Sequence, residues 1–343
     1  MATTVTFEVE PLTASFGALL HGIDLAGDVS EAEYTALHDA VVRHGVVVLH
    51  DQQITDEQQL ALGRRWGKLH VYPVFRLAGQ DIPLEWVEDN EQSPPKATRW
   101  HTDLPWEPRP PKFGVLSAKV VPDAGGDTVW ADTAGAFDAL SPTMQQLVAE
   151  LRVLHKVEAG GMDRLVKLVD EAAGTAFRRE YAQGVEHPLV RRNGDNNRLA
   201  LFLAGYWMDS IVGMSADESA ALLGFLMEHA TQPRFQCRWR WSVNDLVIWD
   251  ERRTMHMAMP RPLPASPKAA ALHHRGRSAT RRQLSALGQR SVDAQRQHER
   301  HGCRERGERA HVVPRGPSRG VAVPDRRGAF ARSARATFQR PGR

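Results

Sequence analysis

Over the first 260 residues apolar and polar positions come in short blocks whose period changes repeatedly. Val5 to Val9 alternates with a period of two and predicts a strand. Ser30 to Arg43 spaces its apolar residues as a helix does, with Ser30 as the N-cap. Gly45-Val46-Val47-Val48-Leu49-His50 reads as a short buried strand. Thr55-Asp56-Glu57-Gln58 is a capping box ahead of Leu60, Leu62 and Trp66, and Gly67 ends that helix. Residues 69–100 are rich in proline and irregular, the place for a mobile loop. Phe113 to Val121 and Asp127 to Ala131 predict two strands joined by the turn Pro122-Asp123-Ala124-Gly125-Gly126. Residues 133–151 predict two short helices, the second capped by Ser141, and 158–184 show no firm pattern, which suits a lid. Leu199 to Leu203, Phe235 to Trp241 and Leu246 to Trp249 predict further strands, with a helix from Ala216 to His229. Many short strands and few helices indicate a mixed α/β, mainly β domain, a barrel or sandwich with flanking helices.

The pattern stops after Met259-Pro260. Residues 261–343 hold 19 Arg and one Lys against five acids, a net charge of +15, and contain no Ile, Trp or Tyr. The whole chain carries only +3, so the first 260 residues carry −12. The tail shows no usable periodicity, and its Arg, Pro, Gly, Ala and Ser content reads as disordered. Two domains of unlike kind are therefore expected, 1–260 folded and 261–343 a basic tail.

Other features narrow the class. No apolar run approaches the roughly 20 residues of a membrane span, and Met1 to Glu10 has no signal-peptide character. The two cysteines, Cys237 and Cys303, imply no disulfide framework. A reducing cytoplasm is the expected compartment, with no membrane partner; a homo-oligomer is left open.

The chemistry resides in His101-Thr102-Asp103 and in His256, 155 residues after His101. On a strand, His-x-Asp sets both side chains on one face, and a distant His supplies the third ligand. Two imidazoles and one carboxylate are the facial triad that holds non-haem Fe(II) and leaves positions open for a cosubstrate and O2. His256 follows Leu246-Val247-Ile248-Trp249-Asp250, and the far end of that strand is where it is expected.

Several further motifs stand in order around this set: Phe16-Gly17-Ala18 with Gly22-Ile23-Asp24-Leu25, His44-Gly45-Val46-Val47-Val48-Leu49, and Trp100-His101-Thr102-Asp103. Gly125-Gly126-Asp127-Thr128-Val129-Trp130-Ala131-Asp132, His187-Pro188-Leu189-Val190-Arg191 and Asn244-Asp245-Leu246-Val247-Ile248-Trp249-Asp250 complete the series. Over about residues 5–260 the chain resembles the taurine dioxygenase / 2,4-dichlorophenoxyacetate dioxygenase (TauD/TfdA) family of Fe(II)- and 2-oxoglutarate-dependent enzymes. The resemblance implies a double-stranded β-helix (jelly-roll) core, and iron ligands His101, Asp103 and His256. It implies a hydrogen bond from Thr128 to the distal carboxylate of 2-oxoglutarate. The reaction it implies is hydroxylation of a small organic acid with O2, releasing succinate and CO2. Asp245 and Asp250 read as turn and supporting groups rather than ligands.

Two departures from the family pattern matter. The family places an Arg ten to fifteen residues after the distal His, on its last core strand, to pair with 2-oxoglutarate. Here that stretch is Arg261 to Ala271, with Pro262, Pro264 and Pro267, which no central strand accepts. Either the tail is translated out of frame from a GC-rich gene, or it is a genuine basic extension; its lack of interleaved aromatics argues against a nucleic-acid partner. The alternatives to an active dioxygenase are thus an impaired member lacking the 2-oxoglutarate Arg, or a barrel protein whose basic tail binds nucleic acid. The second departure lies in the loop before His101. The His-x-x-Tyr of taurine-type members is replaced by Tyr72-Pro73-Val74-Phe75 with His70 displaced, so taurine is disfavoured. His70, Tyr72, Phe75 and Trp106 are candidate substrate residues, suited to an aryloxy or alkyl carboxylate, sulfonate or sulfate ester; the competing reading of the aromatics is packing beneath the loop.

Overall fold

The computed structural model describes residues 7–89, 97–260 and 331–339. Strands β1 (Glu8–Pro11) and β2 (Ala18–His21) pair antiparallel. Helix α1 (Glu31–His44) starts at the predicted cap, where Ser30 and Glu33 form a reciprocal capping box. Gly45, at a positive φ, turns the chain into β3 (Val46–Leu49). Thr55 and Gln58 cap α2 (Asp56–Trp66) in the same way. Then come β4 (Lys68–Leu69), α3 (Pro73–Leu77), β5 (Leu84–Asp89), β6 (Phe113–Ala118) and β7 (Thr128–Asp132). They are followed by α4 (Thr133–Asp138), α5 (Pro142–Ala149), β8 (Arg152–His155), α6 (Ala159–Val166) and α7 (Glu171–Tyr181). Strands β9 (Val185–Pro188), β10 (Val190–Arg192), β11 (Leu199–Leu201) and β12 (Met208–Ile211) lead to α8 (Ala216–Ala230). The described chain closes with β13 (Gln236–Trp239), β14 (Leu246–Asp250), β15 (Thr254–Ala258) and β16 (Ala331–Gln339).

Two sheets frame the site. The large one runs β1-β2-β3-β14-β6-β16-β4, with β5 also on β16; the small one runs β13-β7-β15. Strand β14 shows why the large sheet is central: hydrogen-bonded on both sides, it is buried at every position from Leu246 to Asp250. Val46, Val48, Val247 and Trp249 of the large sheet pack on Trp130 and Cys237 of the small one. Gly114, opposite Trp249 in register, makes that packing feasible, because a Cβ there would lie 2.3 Å from the indole. The other face of the large sheet, with Val47, Val115 and Ile248, is covered by Leu37, Val41 and Leu62 of α1 and α2. Each apolar side chain so buried contributes roughly 1.5–3 kcal/mol.

The structure departs from the sequence expectations in five places. Residues 69–89 are not one irregular loop but carry α3 and β5. The span 158–184 is ordered as α6 and α7, which pack on α3 through Val74, Met162 and Phe177. His101 lies in an isolated bridge rather than a strand, and Leu104 just beyond takes a positive φ. His256 is not at the end of β14 but in β15, in the opposite sheet, because Glu251-Arg252-Arg253 make a buried turn between the two strands. Finally, Ala331–Gln339 of the supposedly unstructured tail forms β16, bonded to β6 on one side and to β5 and β4 on the other. Backbone pairing on both sides suffices to hold a strand that has no apolar alternation of its own. The prolines at 262, 264 and 267 lie outside the described residues, as do the first two positions of the first predicted strand, whose last two, Glu8 and Val9, open β1.

Candidate active site

His101, Asp103 and His256 come together at one end of the facing sheets, all buried. Backbone bonds set the approach: the His101 N–H donates to the His256 carbonyl at 3.0 Å, and the His256 N–H to the His101 carbonyl at 2.7 Å. The Asp103 Oδ1 stands 3.8 Å from the His101 Nε2 and 3.9 Å from the His256 Nε2. Those distances are long for hydrogen bonds, yet within the span of two bonds of about 2.1 Å to a shared ion. The His101 Nδ1–H donates to the Arg99 carbonyl at 2.8 Å, which fixes the tautomer and leaves Nε2 its lone pair. Burial, then the neighbouring His101, hold His256 well below the ordinary imidazole range, so it stays neutral as a metal ligand must be. The donor set therefore fits a divalent ion such as Fe(II).

Glu251, which the sequence reading did not single out, supports this set. Its Oε2 accepts the Asp103 N–H at 3.2 Å and its Oε1 the Trp249 indole N–H at 2.7 Å. Burial pushes its carboxyl up to about 8. The hydroxyl of Thr102 points away from the triad, donating to the carbonyls of Leu203 and Thr254. Asp245 and Asp250 are supporting groups, as expected. Asp245 accepts from His50, Trp239 and the Ser242 N–H, while Asp250 accepts from Arg252 and Asn193.

Thr128 pairs with Ala258 in register, two residues along from the pair Trp130–His256, and so shares the inner face with His256. Its Oγ1 accepts the Trp241 indole N–H at 3.0 Å. In β16, Arg335 pairs in register with Leu116 of β6 and Glu85 of β5.

A cavity of about 270 Å³ opens onto His101 and Asp103, walled by His70, Tyr72, Glu85, Leu104, Tyr206 and Trp207 among others. His70 and Tyr72, two of the candidate substrate residues, line this cavity. Burial, aided by Arg76 and Lys68, pushes His70 down to about 4, and its Nε2 has no hydrogen-bond partner among the described residues. Trp106 does not reach the cavity: it is fully buried against Phe177 and Tyr181. Phe75 packs in the same cluster. Both follow the packing reading. Tyr206, Trp207 and Glu85 went unnoticed in the sequence, because nothing local distinguishes them from core and surface residues.

A sequence profile of the taurine catabolism dioxygenase TauD, TfdA family matches residues 8–275. An α-ketoglutarate-dependent sulfate ester dioxygenase of Pseudomonas putida is 31% identical over 256 residues, 74% of this chain and 84% of the relative. An (S)-phenoxypropionate/α-ketoglutarate dioxygenase of Sphingobium herbicidovorans is 33% identical over 270 residues, 74% of this chain and 90% of the relative. The crystal structure of AAD-2 in complex with Mn(II) and N-oxalylglycine superposes with a TM-score of 0.61 at 30% identity, covering 76% of this chain and 94% of that one. With an ordered triad of the family's kind and a family match over most of its length, the chain belongs to the TauD/TfdA family of 2-oxoglutarate-dependent dioxygenases.

Proposed function

We propose that the chain oxidises a small organic acid, an aryloxy or alkyl carboxylate, a sulfonate or a sulfate ester, using Fe(II), 2-oxoglutarate and O2. The observation that carries this reading is the cavity of about 270 Å³, lined in part by Tyr72, Tyr206 and Trp207, which opens onto His101 and Asp103. A neutral buried imidazole at His70 and the Tyr72 ring in the same cavity suit an acid head group joined to an apolar tail. The facing sheets are read as the double-stranded β-helix.

His101, Asp103 and His256 would hold the iron, which when bound supplies activation of O2 and oxidative decarboxylation of 2-oxoglutarate. Arg99 and Glu251 orient two of those ligands through their hydrogen bonds. Thr128 would hydrogen-bond the far carboxylate of 2-oxoglutarate, and Arg335, in register with Leu116 on β16, is the arginine assigned to pair with it. A guanidinium gives that carboxylate a charge-assisted, two-point partner. This assignment replaces the arginine that the stretch after His256 lacks. The test is succinate formation across a panel of acids. Phenoxyacetate, alkyl sulfates and longer sulfonates are expected to outpace taurine; taurine as the best substrate, or no 2-oxoglutarate turnover with any acid, overturns the reading.

A further inference from the structure

The segment carrying His101 is locked to the aromatic wall of the cavity. In the turn Gly205–Trp207, Gly205 takes φ +57°, and a Cβ there would lie 1.7 Å from the Trp100 carbonyl oxygen, so that only glycine fits. Beside this contact the Arg99 guanidinium lies over the Tyr206 ring, 3.9 Å from its centroid. Its Nη2 donates to the Glu158 Oε1 at 3.2 Å, an oxygen that also takes the Arg164 Nη2 at 3.3 Å. Glu158 is the N-cap residue of α6, so the brace extends to that helix. The Tyr206 and Trp207 rings lie 4.4 Å apart, and both line the cavity with His101 and Asp103.

Arg99 thus acts twice, by separable groups. Its backbone carbonyl accepts the His101 Nδ1–H, while its side chain touches Tyr206 and Glu158. Any side chain at position 99 keeps the first contact; only the second depends on the guanidinium.

We propose that Arg99 is a positioning residue for substrate selection: by bracing Tyr206 it fixes the aromatic wall, and so favours acids with a ring or long chain over short acids. A planar guanidinium stacks on a ring as a lysine ammonium does not, and the loss of such a contact moves binding by a few-fold to roughly tenfold. The inference rests on the substrate class proposed above.

The experiment compares phenoxyacetate with methoxyacetate, which share a head group and differ in the tail, and phenyl sulfate with methyl sulfate likewise. Dissociation constants are measured anaerobically on the full chain with Fe(II) and 2-oxoglutarate, alongside KM and kcat from succinate formation. Arg99→Met should weaken the ring-bearing acids roughly tenfold and the short acids about twofold at most, with kcat held and Arg99→Lys in between. Tyr206→Ala should do the same as Arg99→Met. Equal weakening of both tails, or an effect confined to kcat, overturns the inference. Wild-type protein that binds none of the four acids overturns the proposed function itself, and is told apart by needing no variant.

Discussion

His101 and His256 exchange both of their backbone hydrogen bonds, N–H to carbonyl in each direction, although 155 residues separate them. This one bridge, made by backbone atoms, holds two candidate ligands with ring centroids 4.3 Å apart. The pocket is therefore built by the fold, and losing a side chain should cost metal more than structure. His101→Ala and His256→Ala should abolish the visible absorption that develops on anaerobic titration with Fe(II) and 2-oxoglutarate. Their thermal midpoints without metal should stay within a few degrees of the parent, since the bridging atoms are backbone. Retained absorption in His101→Ala would remove His101 from the ligand set.

Glu251 gives a sharper test of how the site is held. Burial pushes its carboxyl up, and both of its oxygens accept an N–H, so glutamine, with one carbonyl oxygen and a donating NH2, can keep only one of the two contacts. Glu251→Gln, which keeps one of the two acceptors, should lose less iron affinity than Glu251→Leu. Glu251→Leu leaves the Trp249 indole and the Asp103 N–H without this acceptor. Iron affinity should then fall by roughly 10- to 100-fold, with a stability loss of about 1–3 kcal/mol. Metal titration and urea unfolding of the two variants check this; equal behaviour would mean that Glu251 only fills space.

The triad was legible because its chemistry is written in residue types, and the helices because Ser30, Thr55 and Ser141 cap them where expected. What stayed hidden depends on distant partners. The turn that sends β15 into the other sheet buries Arg253, which a sequence reading leaves in solvent; its Nη2 meets the Asp132 Oδ1 at 2.7 Å, 121 residues away. From sequence, Trp106 suits a substrate contact or packing beneath the loop equally; it is buried against Phe177 and Tyr181 of α7 and against Tyr72 and Trp207. Strand β16 was invisible for a third reason. Its Ala331-Arg332-Ser333-Ala334-Arg335-Ala336-Thr337 carries no apolar alternation, and the neighbours that bind it lie more than 200 residues upstream.

Acid should unfold the protein through its buried histidines. His155 is pushed down to about 3 and His187 to about 4, in each case by burial first. Their rings lie 5.4 Å apart, on paired strands β8 and β9. A histidine whose folded value is depressed favours the fold above its unfolded value, near 6.5, and that stability is lost as pH falls towards the folded value. Each contributes a slope of at most about 1.4 kcal/mol per pH unit over that window. Urea unfolding at several pH values should show stability falling as pH drops from about 6.5 to 5. His155→Phe should flatten the slope by about one proton; an unchanged slope would show that His155 does not take up that proton on unfolding.

Strand β16 bears directly on cosubstrate binding. Arg335, the arginine assigned to 2-oxoglutarate, pairs in register with Leu116, which in turn pairs with Val247. Arg332, three residues earlier, falls on the alternate row by strand periodicity. The two arginines therefore make a matched pair of variants with equal change in charge. Losing a charge-assisted two-point contact costs a few kcal/mol, so Arg335→Met should weaken 2-oxoglutarate by roughly 10²-fold. Arg332→Met should change it by no more than about twofold, the effect of one distant, screened charge. Removing residues 331–343 should do more, since it also leaves both β6 and β5 as open edges prone to pairing with other chains. Titration of 2-oxoglutarate into the iron-loaded, anaerobic protein reads the two point variants, and light scattering reads the truncation. Equal losses from Arg335→Met and Arg332→Met would mean that only net charge matters, and a truncated chain that stays monodisperse and binds 2-oxoglutarate as before would take β16 out of the site altogether.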